Sequence, residues 1–247
     1  MWTTVLIITM VLAGASLQRV TGMGFALVVA PFLVLLLGPI DGVVLVNACA
    51  VLTGTVILVR VRRQVQWRRY LVLAGAALIG IVPGAFLLRV VSVAWLEIAI
   101  GVLIIVGITA SVFLGRMNLR DRSSFRVGAG IVAGFMNATA GVGGPAVSMY
   151  AVATRWPHAS FVATMQPFFL TIGLASLAAK FATGAATAPS LPVIVWVLIG
   201  AACLGGLALG EVLARVLQPH IARRLLVIVA YVGSAATIYR GITELLA

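Results

Sequence analysis

Apolar runs of about 18 residues or more, each long enough to cross a bilayer as a helix, recur at roughly 42 to 59, 70 to 88, 95 to 114, 160 to 179, 190 to 210 and 222 to 239. Arg or polar residues separate them. Two further apolar stretches, about 2 to 37 and about 127 to 154, are broken by glycines, and the second holds AGVGGP at 140 to 145. Its pieces on either side of the break are about 11 residues each, roughly 16 Å as helix and half of a hydrocarbon core. Such half-helices either continue across as one interrupted span or turn back as a re-entrant hairpin. The pattern predicts an all-α integral membrane protein.

The order of elements repeats. VLAGASLQRVTGMG at 11 to 24 resembles IVAGFMNATAGVG at 131 to 143, aligning Gly14 with Gly134, Gly22 with Gly141 and Gly24 with Gly143. The same offset sets Asn47 beside Gln166 and Leu78-Ile79-Gly80 beside Leu198-Ile199-Gly200, and Val106-Gly107 falls beside Val232-Gly233 after a short insertion. Two repeats follow, 1–118 and 119–247, within one integral membrane domain. Each has a glycine-broken segment and three ordinary spans.

Backbone groups cannot stay unpaired against lipid, so a broken helix survives only where protein or a watery cavity surrounds it. Pro145 suits the first turn of a helix, where its missing N–H costs nothing. Gly141 to Gly144 then form a turn, and a half-helix starts near Pro145 with free N–H donors and partial positive charge at membrane depth. Thr21-Gly22-Met23-Gly24-Phe25 offers the same turn in the first half, so the two N termini are expected to converge on one ligand. Arg19 lies beside the first break with apolar sequence on both sides, where a charge is costly and marks a site unless it snorkels to the interface. Gln18, Thr21, Asn137 and Thr139 add donors. Asn47 and Gln166 either reach the same site or make a plain interhelical hydrogen bond.

Composition agrees with membrane residence: 63% of the 247 residues are hydrophobic and 9% charged, with mean hydropathy +1.21. The net charge is +12, and basic residues crowd short loops, Arg60, Arg62, Arg63, Arg68 and Arg69 in one and Arg116, Arg120, Arg122 and Arg126 in another. This is the positive-inside signal, with membrane lipids rather than nucleic acid as the partner. Turning both broken segments back puts these loops, Arg155 and the group Arg215, Arg223, Arg224 all on the cytoplasmic side. The charge rule therefore favours inverted repeats and an external N terminus. Met-Trp-Thr-Thr at the start carries no basic leader pattern, so no cleaved signal peptide is expected.

None of the five acids falls mid-span: Asp41, Asp121 and Glu244 lie in loops or the tail, Glu97 and Glu211 near span ends. That disfavours a cation substrate and points to an anion. Cys49 and Cys203 read as core thiols, and His158 and His220, both beside prolines, as interfacial. No hydrolase, metalloprotease or P-loop pattern is present, so no enzyme, catalytic residue, metal or cofactor is expected.

The breaks TGMGFALVVAP at 21 to 31 and AGVGGPAVSMY at 140 to 150, with the basic loop of the first half, resemble the sulfite exporter TauE/SafE family over nearly the whole chain. The resemblance implies a secondary transporter exporting small sulfur-containing anions, sulfite or organosulfonates such as sulfoacetate, across the bacterial inner membrane. Its implied site is Gly22 and Gly24 with Gly141, Gly143, Gly144 and Pro145. Phe25 and Ala26 stand where the second half has Gly144 and Pro145, so the second half is expected to supply the better donor set. Neutral donors with at most one full charge suit a sulfonate, whose charge is spread. An anion channel or uniporter and a membrane-embedded partner-binding subunit are the alternatives. The sequence leaves the anion, direction, coupling ion and homo-oligomer formation open.

Overall fold

The computed structural model describes residues 2–22, 24–114 and 120–246 and is helical throughout its ordered elements. In chain order these are α1 (Trp2–Thr21), α2 (Phe25–Leu37), α3 (Pro39–Val61), α4 (Trp67–Val90), α5 (Val93–Leu114), α6 (Ser123–Ala140), α7 (Gly144–Ala153), α8 (His158–Ala182), α9 (Val193–Val216) and α10 (Pro219–Leu246), with a short 3-10 turn at Arg62–Gln64. Among the described residues seven helices are long and apolar enough to cross a membrane: α1, α3, α4, α5, α8, α9 and α10. Six are the spans read from the sequence. The seventh, α1, is the first piece of the broken stretch at 2 to 37, which stays helical for 20 residues until Gly22 stops it. Met23, Arg116 and the junction between residues 118 and 119 lie outside the described residues.

Both broken stretches fold back on themselves. In the first, Gly14 of α1 lies against Phe25 and Val29 of α2. In the second, Tyr150 near the end of α7 reaches Arg126 and Asp121 at the start of α6. The two pieces of the second hairpin are unequal, 18 residues in α6 and 10 in α7, rather than about 11 each. The difference arises because α6 begins at Ser123 and takes in the charged Arg126, upstream of the first long apolar run.

The halves interlock. α4 lies parallel to α6, with Gly130 and Gly134 on the backbones of Leu73 and Ala77, and Gly80 on Ile131. α9 lies parallel to α1 in the same way, Gly206 on Leu12 and Gly210 on Ser16. A Cβ at these positions would overlap backbone, so small residues let the helices approach where no hydrophobic effect drives them together in lipid. α5 and α10 pack antiparallel through Gly101 beside Ser234 and Gly241 beside Ala94, and α3 and α8 through Gly173 beside Val51. The fourth helix of each set of five, α4 of α1–α5 and α9 of α6–α10, thus packs on the first helix of the other.

Contacts at the helix ends gather the basic loops. Glu211 at the end of α9 joins Arg19 and Arg60, at 2.6 and 3.3 Å. Asp121 joins Arg69 and Arg126, at 2.9 and 2.8 Å, and the Arg69 guanidinium lies 4.6 Å over the Trp156 ring. Among the described basic side chains, Arg89, Lys180 and Arg240 stand toward the opposite end of their helices.

Candidate functional site

Local sequence builds the two tips. Gly141 takes φ 71, a left-handed conformation that stops α6, and its N–H donates to the Asn137 carbonyl at 2.9 Å. α7 restarts at Gly144 with Pro145 in its first turn. Gly22 at φ 80 plays the part of Gly141 in the first half, its N–H donating to the Gln18 carbonyl at 2.7 Å, and Gly24 at φ 128 leads into α2. The first turn of any helix has N–H groups without intrahelical partners and carries partial positive charge.

These two first turns line one cavity of about 30 Å³. Gly24 to Leu27 form one wall and Gly141 to Gly144 the other, with Gln18, Ala50, Asn137 and Phe169 between them. The volume holds at least a water. Gln18 and Asn137, Gly24 and Gly143, and Ala50 and Phe169 are each 119 residues apart, the offset at which the two halves align.

Amides fix the tips. Asn137 Nδ2 donates to Asn47 Oδ1 at 3.0 Å and to the Ile172 carbonyl at 3.2 Å, and Asn47 Nδ2 donates to Ser176 Oγ at 3.2 Å. In the other half Gln166 Nε2 donates to the carbonyls of Gly22, at 3.2 Å, and Val162, at 2.9 Å. Gln18 Oε1 and Gln166 Oε1 are buried without partners.

A second cavity of about 420 Å³ adjoins the first, with Leu27 in the walls of both. Pro145 and Ser148 of α7, and Thr21, stand in its lining. Three exposed basic or titratable side chains, Arg155, His158 and Arg223, complete it. Arg155 is held at φ 51, the one non-glycine residue with positive φ among those described. Beside this vestibule, Asp121 accepts from Tyr150 at 2.6 Å and from Arg126. Burial works against its charge, but these hydrogen bonds and the charges of Arg126 and Arg69 prevail and hold its carboxyl below the ordinary value.

Of the residues singled out in the sequence, Gly24, Asn137, Gly141, Gly143 and Gly144 line the central cavity. Thr21 and Pro145 line the vestibule, while Gly22, Asn47 and Gln166 hold the tips in place from behind. Arg19 is not brought into either cavity. Its guanidinium turns to Glu211, which α9 carries alongside α1, because a carboxylate at 2.6 Å outbids a cavity of neutral amides. The vestibule cations Arg155, His158 and Arg223 were read as topological or interfacial. The available signal was their position just after α7 and at the starts of α8 and α10, the first two beside the glycine-broken segment.

Two short helices whose first turns meet at one small cavity, with the amides of Gln18 and Asn137 in its wall, inside a bundle of membrane-length helices, define an all-helical multi-pass membrane protein. The chain belongs to the sulfite exporter TauE/SafE family, whose model matches residues 6–237. No curated protein and no solved structure matches it.

Proposed function

We propose that the protein is a secondary transporter of small sulfur-containing anions, sulfite or an organosulfonate such as sulfoacetate, which it exports across the bacterial inner membrane. The observation that carries this reading is the shared cavity lined by the first turns of α2 and α7. Two helix N termini directed at one space attract negative charge without a buried cation. The anion enters through the vestibule past Arg155 and Arg223, sheds water at the boundary marked by Leu27, and is held by backbone N–H groups with Asn137 and Gln18 beside them. Halves 1–118 and 119–247 act as inverted repeats with the Arg-rich end in the cytoplasm. In favour of this stand the antiparallel pairing of α3 with α8 and the gathering of basic loops at one end.

The test is flux of labelled sulfite and of sulfoacetate, offered separately to purified protein in liposomes, with and without a pH gradient. Saturable uptake of either anion, lost in Gly144→Val, is expected. Flux that fails to saturate and follows voltage would make the protein a channel. No flux of either anion through well-inserted protein would sink the transporter reading and favour a partner-binding subunit.

A further inference from the structure

Lys180 is the only lysine of the chain, and it is fully buried. Its Nζ has no hydrogen-bond partner among the described residues. It stands in the last turn of α8. Helical spacing places it on one stripe with Val162, Gln166, Phe169, Gly173 and Ser176. That stripe meets Gly22 through Val162 and Gln166, the central cavity through Phe169, and Asn47 through Gly173 and Ser176. Lys180 therefore continues the cavity-facing stripe away from the vestibule, roughly 16 Å beyond Phe169 along the helix axis.

An ammonium withdrawn from water without a counter-charge is among the costliest groups a protein can bury. The last turn of α3, the helix that matches α8, also carries a cation, and there it is satisfied. That cation is Arg60, one residue along from the counterpart of Lys180, and it has Glu211 at 3.3 Å. α9, which carries Glu211, matches α4 at an offset of 126 that sets Gly206 against Gly80 and Gly210 against Gly84, so the residue in the place of Glu211 is Ala85, fully buried. Around α8 the cation remains and a methyl group stands in the place of the carboxylate. The missing negative charge is one that a passing anion supplies.

We infer that Lys180 is a second binding station for the transported oxyanion, on the far side of the central cavity from Arg155 and Arg223. The inference rests on the transporter reading above. Ser176 and Asn47 lie between the cavity and Lys180 as neutral donors, so the anion moves from helix N termini to a full positive charge.

The experiment compares wild type, Lys180→Met and Lys180→Arg as purified full-length protein, measuring labelled sulfite flux in liposomes and the rise in Tm caused by sulfite in detergent. In Lys180→Met, flux is expected to fall about tenfold or more, since one partner of a desolvated charge pair is removed. Its Tm without sulfite should equal or exceed that of wild type, because an unpaired buried charge is gone, and its sulfite-induced rise should shrink. Lys180→Arg should restore most of both. Lys180→Gln replaces the Met variant if that protein does not insert. Wild-type flux and wild-type sulfite response in Lys180→Met would overturn the Lys180 station and leave the transporter reading standing. If wild type passes no anion, the transporter reading falls, and Lys180 survives as an anion site only if the sulfite-induced rise in Tm is present in wild type and lost in Lys180→Met.

Discussion

Asn137 donates to Asn47 at 3.0 Å, tying the last turn before the second break to the helix that follows the first hairpin. Both side chains are buried, and Asn47 passes the link on to Ser176 of α8. One amide thereby fixes the tip of one half against a helix of the other. Replacing Asn137 by Leu leaves Asn47 Oδ1 without its donor, at a cost of about 1–3 kcal/mol. A lowered Tm together with lost sulfite flux is expected. Asn47→Leu should give a double-mutant cycle with strong coupling, and additive effects would show that the two amides do not act as a unit.

Gly141 and Gly144 should respond differently to the same substitution. At Gly144 an added Cβ meets only the Phe169 ring edge, at 3.7 Å, so Gly144→Ala should fold with nearly unchanged Tm. Gly141→Ala must adopt φ 71 and approach Val46 at 3.1 Å, which costs roughly 1–2 kcal/mol from the left-handed conformation alone. If the first turn of α7 binds the anion, Gly144→Ala lowers flux without lowering stability. Unaltered flux in that variant would remove Gly144 from the site.

The vestibule cations should act on capture rather than on the later steps. Arg155→Gln and Arg223→Gln are expected to raise KM for sulfite several-fold and leave the maximal rate near wild type. The difference should narrow as salt is added, because exposed charges attract ligands over a distance that ions screen. A change confined to the maximal rate would contradict this assignment.

Asp121 gives a pH-dependent stability with a definite sign. Its carboxyl titrates lower in the folded protein than in the unfolded chain, so its contribution is complete above the unfolded value of about 3.9 and is lost as pH falls through the lowered folded value. Asp121→Asn should therefore melt earlier than wild type at neutral pH, and the gap should close in acid below about pH 4. Melting curves across that range decide it; a gap that persists in acid would mean that packing, not charge, holds the loop.

The long helices were legible because a span in lipid must be apolar for its whole length, and α3, α4, α5, α8, α9 and α10 all obey that rule. The breaks were legible because glycine at φ 71 or φ 128 and a proline in a first turn leave marks in the sequence. Arg19 was harder. Its charge inside an apolar stretch looks alike whether the partner is an anion or Glu211, and nothing local in either segment shows that α1 and α9 lie side by side. Lys180 left no pattern either, since its burial depends on how α8 sits among its neighbours.

Leu27 stands in the walls of both cavities. Motions of one side chain take picoseconds to nanoseconds, whereas displacing packed helices takes microseconds to milliseconds. Toward the vestibule a single aliphatic side chain marks the boundary. In the other direction the buried amides Asn137 and Asn47 and the closely packed backbones of α3 and α8 stand in the way. If the protein carries an anion through this cavity as proposed, exchange with the Arg-rich side is expected to be the fast half of the cycle, and the clock of turnover to be set by the slow parting of helices at the other end.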